Sequence, residues 1–234
     1  MAFDGANRGY VICTSARSGS NFLSQLLTST DRLGRPLEYF NGPARRLLDH
    51  RDFPDDPEAQ LEAITRLGAT ANGVYALKIF MSQFDQVART RWASRLPNLS
   101  FVYLERRDVL GQAISWARAL QTGQYRSTSA SAGPAVYDAA QIRQCLSMIL
   151  IEQARWRGYF AVNALQPLTI IYEDLVSAPQ AAVDAVRQLV GLEDGLAIDP
   201  AAIDLVIQRD AASAAWRARF LAETADLTIP TTLS

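Results

Sequence analysis

The residues of this chain best suited to chemistry lie at positions 14–21, where T-S-A-R-S-G-S-N gathers four hydroxyls, a guanidinium and a glycine. They follow an apolar run at 9–13 and precede Phe22, Leu23, Leu26 and Leu27, which recur at helical spacing. A buried strand, a tight turn and a packed helix are expected in that order, with Ser18 or Ser20 as the N-cap. A helix start leaves backbone N–H groups without carbonyl partners and carries the positive end of the helix dipole. With the hydroxyls of Thr14, Ser15, Ser18 and Ser20 and the permanent charge of Arg17, such a turn suits a phosphate or sulfate. The same composition also suits a turn that only caps a helix. The pattern is neither G-x-x-x-x-G-K-[ST] nor G-x-G-x-x-G. An anion held without that lysine, and without an evident magnesium ligand, points away from ATP hydrolysis.

Two further cations stand near strand ends. Lys78 is the single charge in G-V-Y-A-L-K-I-F at 73–80, which reads as a second strand, and Arg106 follows a third strand at 98–104. Asp108 caps the next helix, on which Ser115 and Arg118 lie beyond reach of the first amides. In α/β folds the C-terminal ends of neighbouring strands open onto one crevice, so Lys78 and Arg106 can face the turn. A snorkelled lysine and a solvated Arg106–Arg107 pair are the competing readings. The sole histidine, His50, sits among Asp49, Arg51 and Asp52, neighbours typical of a surface.

The elements that must position these groups follow from periodicity. Helices are expected at 58–67, 87–96, from Asp138 through Phe160, from Pro179 through Leu189, and at 201–208 and 212–221; a further strand is expected at 168–172. On the long helix Glu152, Arg155 and Trp156 read as structural. The stretches 41–57 and 121–137 read as mobile loops, the first with a short helix near its start at R-R-L-L, the second carrying Tyr125 and Arg126 toward a substrate when it orders. The expectation is an α/β domain over 1–234, with a mostly parallel sheet of four or five strands flanked by helices. At 49% hydrophobic and 20% charged residues with a net charge of −1, the chain has no general attraction to nucleic acid or acidic membranes. Neither a leader pattern nor a transmembrane segment is evident, so the default location is cytoplasmic. Cys13 and Cys145 lack zinc or redox spacing and read as buried small hydrophobes.

The ordered set A-R-S-G-S-N-F-L, P-L-E-Y-F, A-L-K-I-F, E-R-R-D-V-L-G-Q-A-I-S-W-A-R-A-L-Q-T-G and I-Y-E-D-L-V resembles the Stf0-type sulfotransferases. The resemblance runs from about residue 10 to residue 220 and includes a terminal S-x-x-W-x-x-R-F pattern at 213–220. It implies a P-loop-like sulfotransferase fold. The implied reaction moves a sulfuryl group from 3′-phosphoadenosine-5′-phosphosulfate (PAPS) to a hydroxyl of a carbohydrate, glycolipid or other small hydroxylated acceptor, releasing adenosine 3′,5′-bisphosphate. By resemblance Arg17, Ser18, Gly19, Ser20 and Asn21 bind the 5′-phosphosulfate, and Arg106 and Ser115 the 3′-phosphate. Glu38 is the implied general base, with its pKa raised if the closed pocket is partly dry. Arg17 and Lys78 would stabilise charge on the leaving oxygen. No metal is expected, and a homodimer is compatible with the family's habits.

Departures from the pattern are Asn21 in place of a hydroxyl residue, Ala16 in place of Pro or Gln, Gly111 where one form carries Ser, and Ile207 where an Arg often precedes Gln, with Arg209 as its alternative. They leave the acceptor open. Two other readings stand beside this one: a nucleotide-dependent kinase, which would bind ATP and magnesium, and a noncatalytic nucleotide-binding scaffold.

Overall fold

The computed structural model describes residues 6–48, 51–124, 133–204 and 211–224. Four parallel strands, β1 (Arg8–Thr14), β2 (Val74–Phe80), β3 (Leu99–Glu105) and β4 (Leu168–Ile171), form a sheet in the order β2-β1-β3-β4. In β1, Tyr10 and Ile12 pack into one apolar cluster and Val11 and Cys13 into another, as expected of a strand covered on both faces. Thr14 stands level with Phe80 on one side and Leu104 on the other, so β2, β1 and β3 end together. From β1 the chain passes to β2 on one side and then across to β3 on the other. The crevice beyond β1 is therefore the switch point at which open parallel sheets present their ligand sites.

One face of the sheet is covered by α1 (Ser20–Ser29) and α9 (Pro179–Leu189), through Leu23, Leu26, Val183 and Val186. The other is covered by α3 (Pro57–Leu67), α4 (Met81–Val87), α5 (Trp92–Arg95) and α7 (Ala139–Val162), through Ile64, Met81, Trp92 and Trp156. The Phe84 ring lies 5.4 Å from Trp156 and 4.9 Å from Tyr159, both in edge-on contact, the arrangement aromatic quadrupoles favour. A third cluster joins α6 (Val109–Thr122), α7 and α10 (Ala211–Thr224) around Ile114, Ile149, Trp216 and Phe220. Short helices α2 (Gly42–Leu48) and α8 (Tyr172–Ser177) complete the described elements.

The strands fall within a residue of their expected bounds. The connection expected at 87–96 begins earlier, at Met81, because the Gln83 side chain accepts the Phe80 N–H at 3.2 Å and closes a helix start directly on the strand end. The stretch 41–57 opens with α2, the short helix expected there, and residues 121–122, expected in a loop, complete α6. A 3-10 turn at Pro200–Ala202, capped by Asp199, stands where a helix was expected at 201–208. Residues 205–208 lie outside the described residues, as do His50, Tyr125, Arg126, Ile207 and Arg209. Cys13 and Cys145 are buried and unpaired by disulfide. Among the described residues no helix is long and apolar enough to cross a membrane.

Candidate active site

The turn between β1 and α1 has a glycine N-cap. Gly19 precedes the helix with φ +91° and no side chain caps it, in place of the expected Ser18 or Ser20. A Cβ at Gly19 would lie 2.3 Å from the Tyr172 ring, so both the backbone angle and the packing call for glycine. Leu23 is the first residue whose N–H returns to the turn, at 3.1 Å from the Gly19 carbonyl; the amides of Ser20, Asn21 and Phe22 precede it and form the donor end of the helix. Arg17 also has positive φ, 61°, a conformation that costs any residue with a Cβ energy and that recurs at functional turns. Its Nε donates to Ser115 Oγ at 3.1 Å, which brings α6 against the turn.

The hydroxyls are unequal. Thr14 Oγ1 donates to the Leu104 carbonyl at 2.8 Å, so the 2.6 Å contact with Ser18 Oγ places the Ser18 proton on Thr14. Ser18 is buried, and its hydroxyl stitches the turn to β1 and β3; what it offers an anion in this arrangement is its backbone N–H. Ser15 Oγ accepts from Gln112 Nε2 at 2.9 Å, and the same amide donates to the Ala16 carbonyl at 2.6 Å.

Glu38 is placed by an extension of the sheet. Leu37 bridges Leu77 in parallel, the Lys78 N–H donates to the Leu37 carbonyl at 2.8 Å, and Ser24 Oγ ties the Pro36 carbonyl to α1. The Glu38 carboxylate thereby meets the side chain of Lys78, which is not snorkelled but buried. Lys78 Nζ lies 3.4 Å from Glu38 Oε1 and donates to Asn21 Oδ1 at 2.6 Å. Glu38 Oε2 accepts from Asn41 Nδ2 at 3.1 Å and from Gln83 Nε2 at 2.9 Å. Burial pushes the Glu38 pKa up, but the Lys78 charge and the hydrogen bonds from Asn41, Gln83 and Lys78 outweigh it and hold the carboxyl below its usual range. The expected upward shift is thus corrected: the pocket is partly dry, but it is also cationic and rich in donors.

The second cationic position is the β3–α6 junction. The Glu173 carboxylate accepts the N–H groups of Arg107 and Asp108, both at 3.1 Å, while Asp108 accepts the Gly111 N–H at 3.0 Å and pairs with Arg217 of α10. A Cβ at Gly111 would lie 2.1 Å from Asp108 Oδ2 and 2.8 Å from the Arg217 guanidinium, so this pair occupies the space that a larger residue would need. The Arg106 guanidinium lies 4.8 Å from the centre of the Tyr172 ring, the ring that also packs on Gly19. Asp108 and Glu173 stand 3.7 and 3.9 Å from it, too far for hydrogen bonds, and its buried Nε has no hydrogen-bond partner.

A buried lysine is thus shared by the start of α1 and a carboxylate, and an arginine lies across one aromatic ring from Gly19. The Stf0 sulphotransferase family profile matches residues 9–223. The chain belongs to the Stf0 sulfotransferase family. It is similar to the trehalose 2-sulfotransferase of Mycobacterium tuberculosis (strain ATCC 35801 / TMC 107 / Erdman), at 29% identity over 97% of this chain and 99% of that protein. A second relative, the trehalose 2-sulfotransferase of Mycolicibacterium smegmatis (strain ATCC 700084 / mc(2)155), is 26% identical over 90% of this chain and 93% of that protein. The chain is accordingly a PAPS-dependent sulfotransferase that acts on a hydroxylated acceptor.

In this Stf0 sulfotransferase the structure pairs Arg17 with Ser115, joins Asn21, Lys78 and Glu38 in a second set, and links Arg106 to Gly19 through Tyr172. Residue-type reasoning missed Gln83 and Asn41, which hold Glu38, and Gln112, which grips the turn. It also took as purely structural two residues of α7 that face the turn. Trp156 Nε1 donates to the Thr14 carbonyl at 3.0 Å, and the Glu152 carboxyl lies close enough to the Ala16 backbone to be influenced by it. Among the described residues no three His, Cys, Asp or Glu side chains gather into a metal-binding group.

Proposed function

We propose that this Stf0 sulfotransferase moves the sulfuryl group of PAPS to a carbohydrate hydroxyl, with Glu38 as the general base. The observation that carries the reading is Lys78, whose ammonium is within reach of both Asn21 at the start of α1 and the Glu38 carboxylate. The 5′-phosphosulfate would sit on the amides of Ser18 to Asn21 and on Arg17. The 3′-phosphate would take Arg106, whose Nε lacks a hydrogen bond, with Ser115 reaching the donor only alongside Arg17. The acceptor oxygen bonds to sulfur as its proton passes to Glu38. The bond from sulfur to the bridging oxygen breaks, and the electron pair stays on adenosine 3′,5′-bisphosphate, where Arg17, Lys78 and the turn amides offset the new charge. The relatives' names make trehalose the first acceptor to test, ahead of other glycans, glycolipid headgroups and small polyols.

Glu38→Gln keeps the shape and both amide contacts in reach while removing the base. The expected result is a kcat lower by about 10²- to 10⁴-fold with donor binding retained. The measurement is sulfate transfer from labelled PAPS across an acceptor panel headed by trehalose. An E38Q protein as fast as the parent would end the base assignment, and a parent inert on every carbohydrate in the panel would end the acceptor class.

A further inference from the structure

Helix α7 runs beneath the β1–α1 turn and touches it at two places one helical turn apart. Trp156 donates to the Thr14 carbonyl, and four residues earlier the Glu152 carboxyl lies close to the Ala16 backbone. The other carboxylate oxygen of Glu152, Oε2, is buried without a hydrogen-bond partner. An acidic side chain aimed at an anion-binding turn is a mismatch if it stays ionised. The groups around it do not correct the mismatch. Arg155, on the same helix, is paired with Asp85 of α4 at 2.9 Å, so the cation near Glu152 comes with its own anion. From α6 the side chain that grips the turn is the neutral amide of Gln112. Arg17, next to Ala16, directs its Nε to Ser115 on α6.

We propose that Glu152 is a positioning residue of the donor turn that works in its neutral form, taking up a proton when the anionic donor binds. The inference rests on the reading of this turn as the donor site. A protonated carboxyl keeps a carbonyl oxygen turned to the Ala16 backbone and no longer buries a charge whose Oε2 has no donor. An incoming phosphosulfate disfavours the carboxylate by like-charge repulsion and so favours the proton. Burial already pushes the Glu152 pKa up to about 7, so the group is divided between both forms near neutral pH before any donor arrives.

The test is calorimetric titration of the full chain with adenosine 3′,5′-bisphosphate at pH 7, in two buffers of different ionisation enthalpy, which reads the protons exchanged on binding. The parent is expected to take up more protons than Glu152→Gln, since the ligand's own phosphates contribute equally to both. From pH 6 to 8 the parent's affinity should weaken by several-fold, approaching but not passing about tenfold, while E152Q stays level after the same ligand correction. Equal proton counts and equal pH slopes in the two proteins would overturn the proposal while leaving the donor site standing. No binding to the parent would instead overturn the donor reading, and the proposal with it. Should E152Q fail to fold, the parent alone decides: net uptake above pH 7, where the ligand phosphates are already ionised, supports the proposal and its absence overturns it.

Discussion

Glu38 shows how a carboxylate can be buried beside a helix start and still be kept charged. Its Oε2 is held by two neutral amides and its Oε1 faces an ammonium, so the ionised form is favoured well into acid. With the pKa depressed, both the base form and the stability it contributes are present at neutral pH, and are lost only as pH falls through the lowered value. Replacing Gln83 with Met removes one donor to Oε2. The acid limb of the pH–rate profile should move to higher pH and kcat should fall, whereas a purely structural role for Gln83 would leave the limb in place. Lys78 was legible as the one charge on an apolar strand, and the Arg17 turn as a cluster of hydroxyls and a cation. Gln83, Asn41 and Gln112 were not, because a neutral amide on a helix or turn has no spacing signature; its role exists only once its partner is in place.

At the scale of elements, the strands were readable because burial on both faces leaves unbroken apolar runs, and Asp108, Asp138 and Pro179 marked helix starts where they were expected. The start of α1 was misread for a physical reason. Serine is the better intrinsic cap, but the position is taken by Gly19 because Tyr172, far along the chain, leaves no room for a Cβ. Gly19→Ala should therefore cost about 1–2 kcal/mol from the left-handed backbone alone, and more from displacing the ring. Urea unfolding would read the stability loss. Adenosine 3′,5′-bisphosphate titration would read a weakened site, since Tyr172 also underlies Arg106.

For the whole molecule, the parallel α/β class was legible from alternating strand and helix patterns, while the layering around Trp156 was not. That residue packs with Phe84, Tyr159 and Phe160 and also reaches the Thr14 carbonyl, so one side chain serves both the core and the site. Trp156→Phe keeps much of the packing but strands a buried carbonyl. It should destabilise the fold by about 1–3 kcal/mol and loosen donor binding together, measured by thermal unfolding and by ligand titration. A variant that lost stability with no change in affinity would confine Trp156 to the core.

The ties that shape the turn reach far along the chain: Thr14 bonds to Leu104, 90 residues on, and to Trp156, 142 residues on. A protein made from its N-terminus by the ribosome therefore extrudes the residues of its β1–α1 turn first and seals them late. Until Trp156 and Tyr172 have left the exit tunnel, β1 waits as an apolar segment with its turn unfinished, a period in which such segments are prone to association. Nascent chains arrested before residue 156 should retain no adenosine 3′,5′-bisphosphate, while those long enough to expose α8 should begin to hold it.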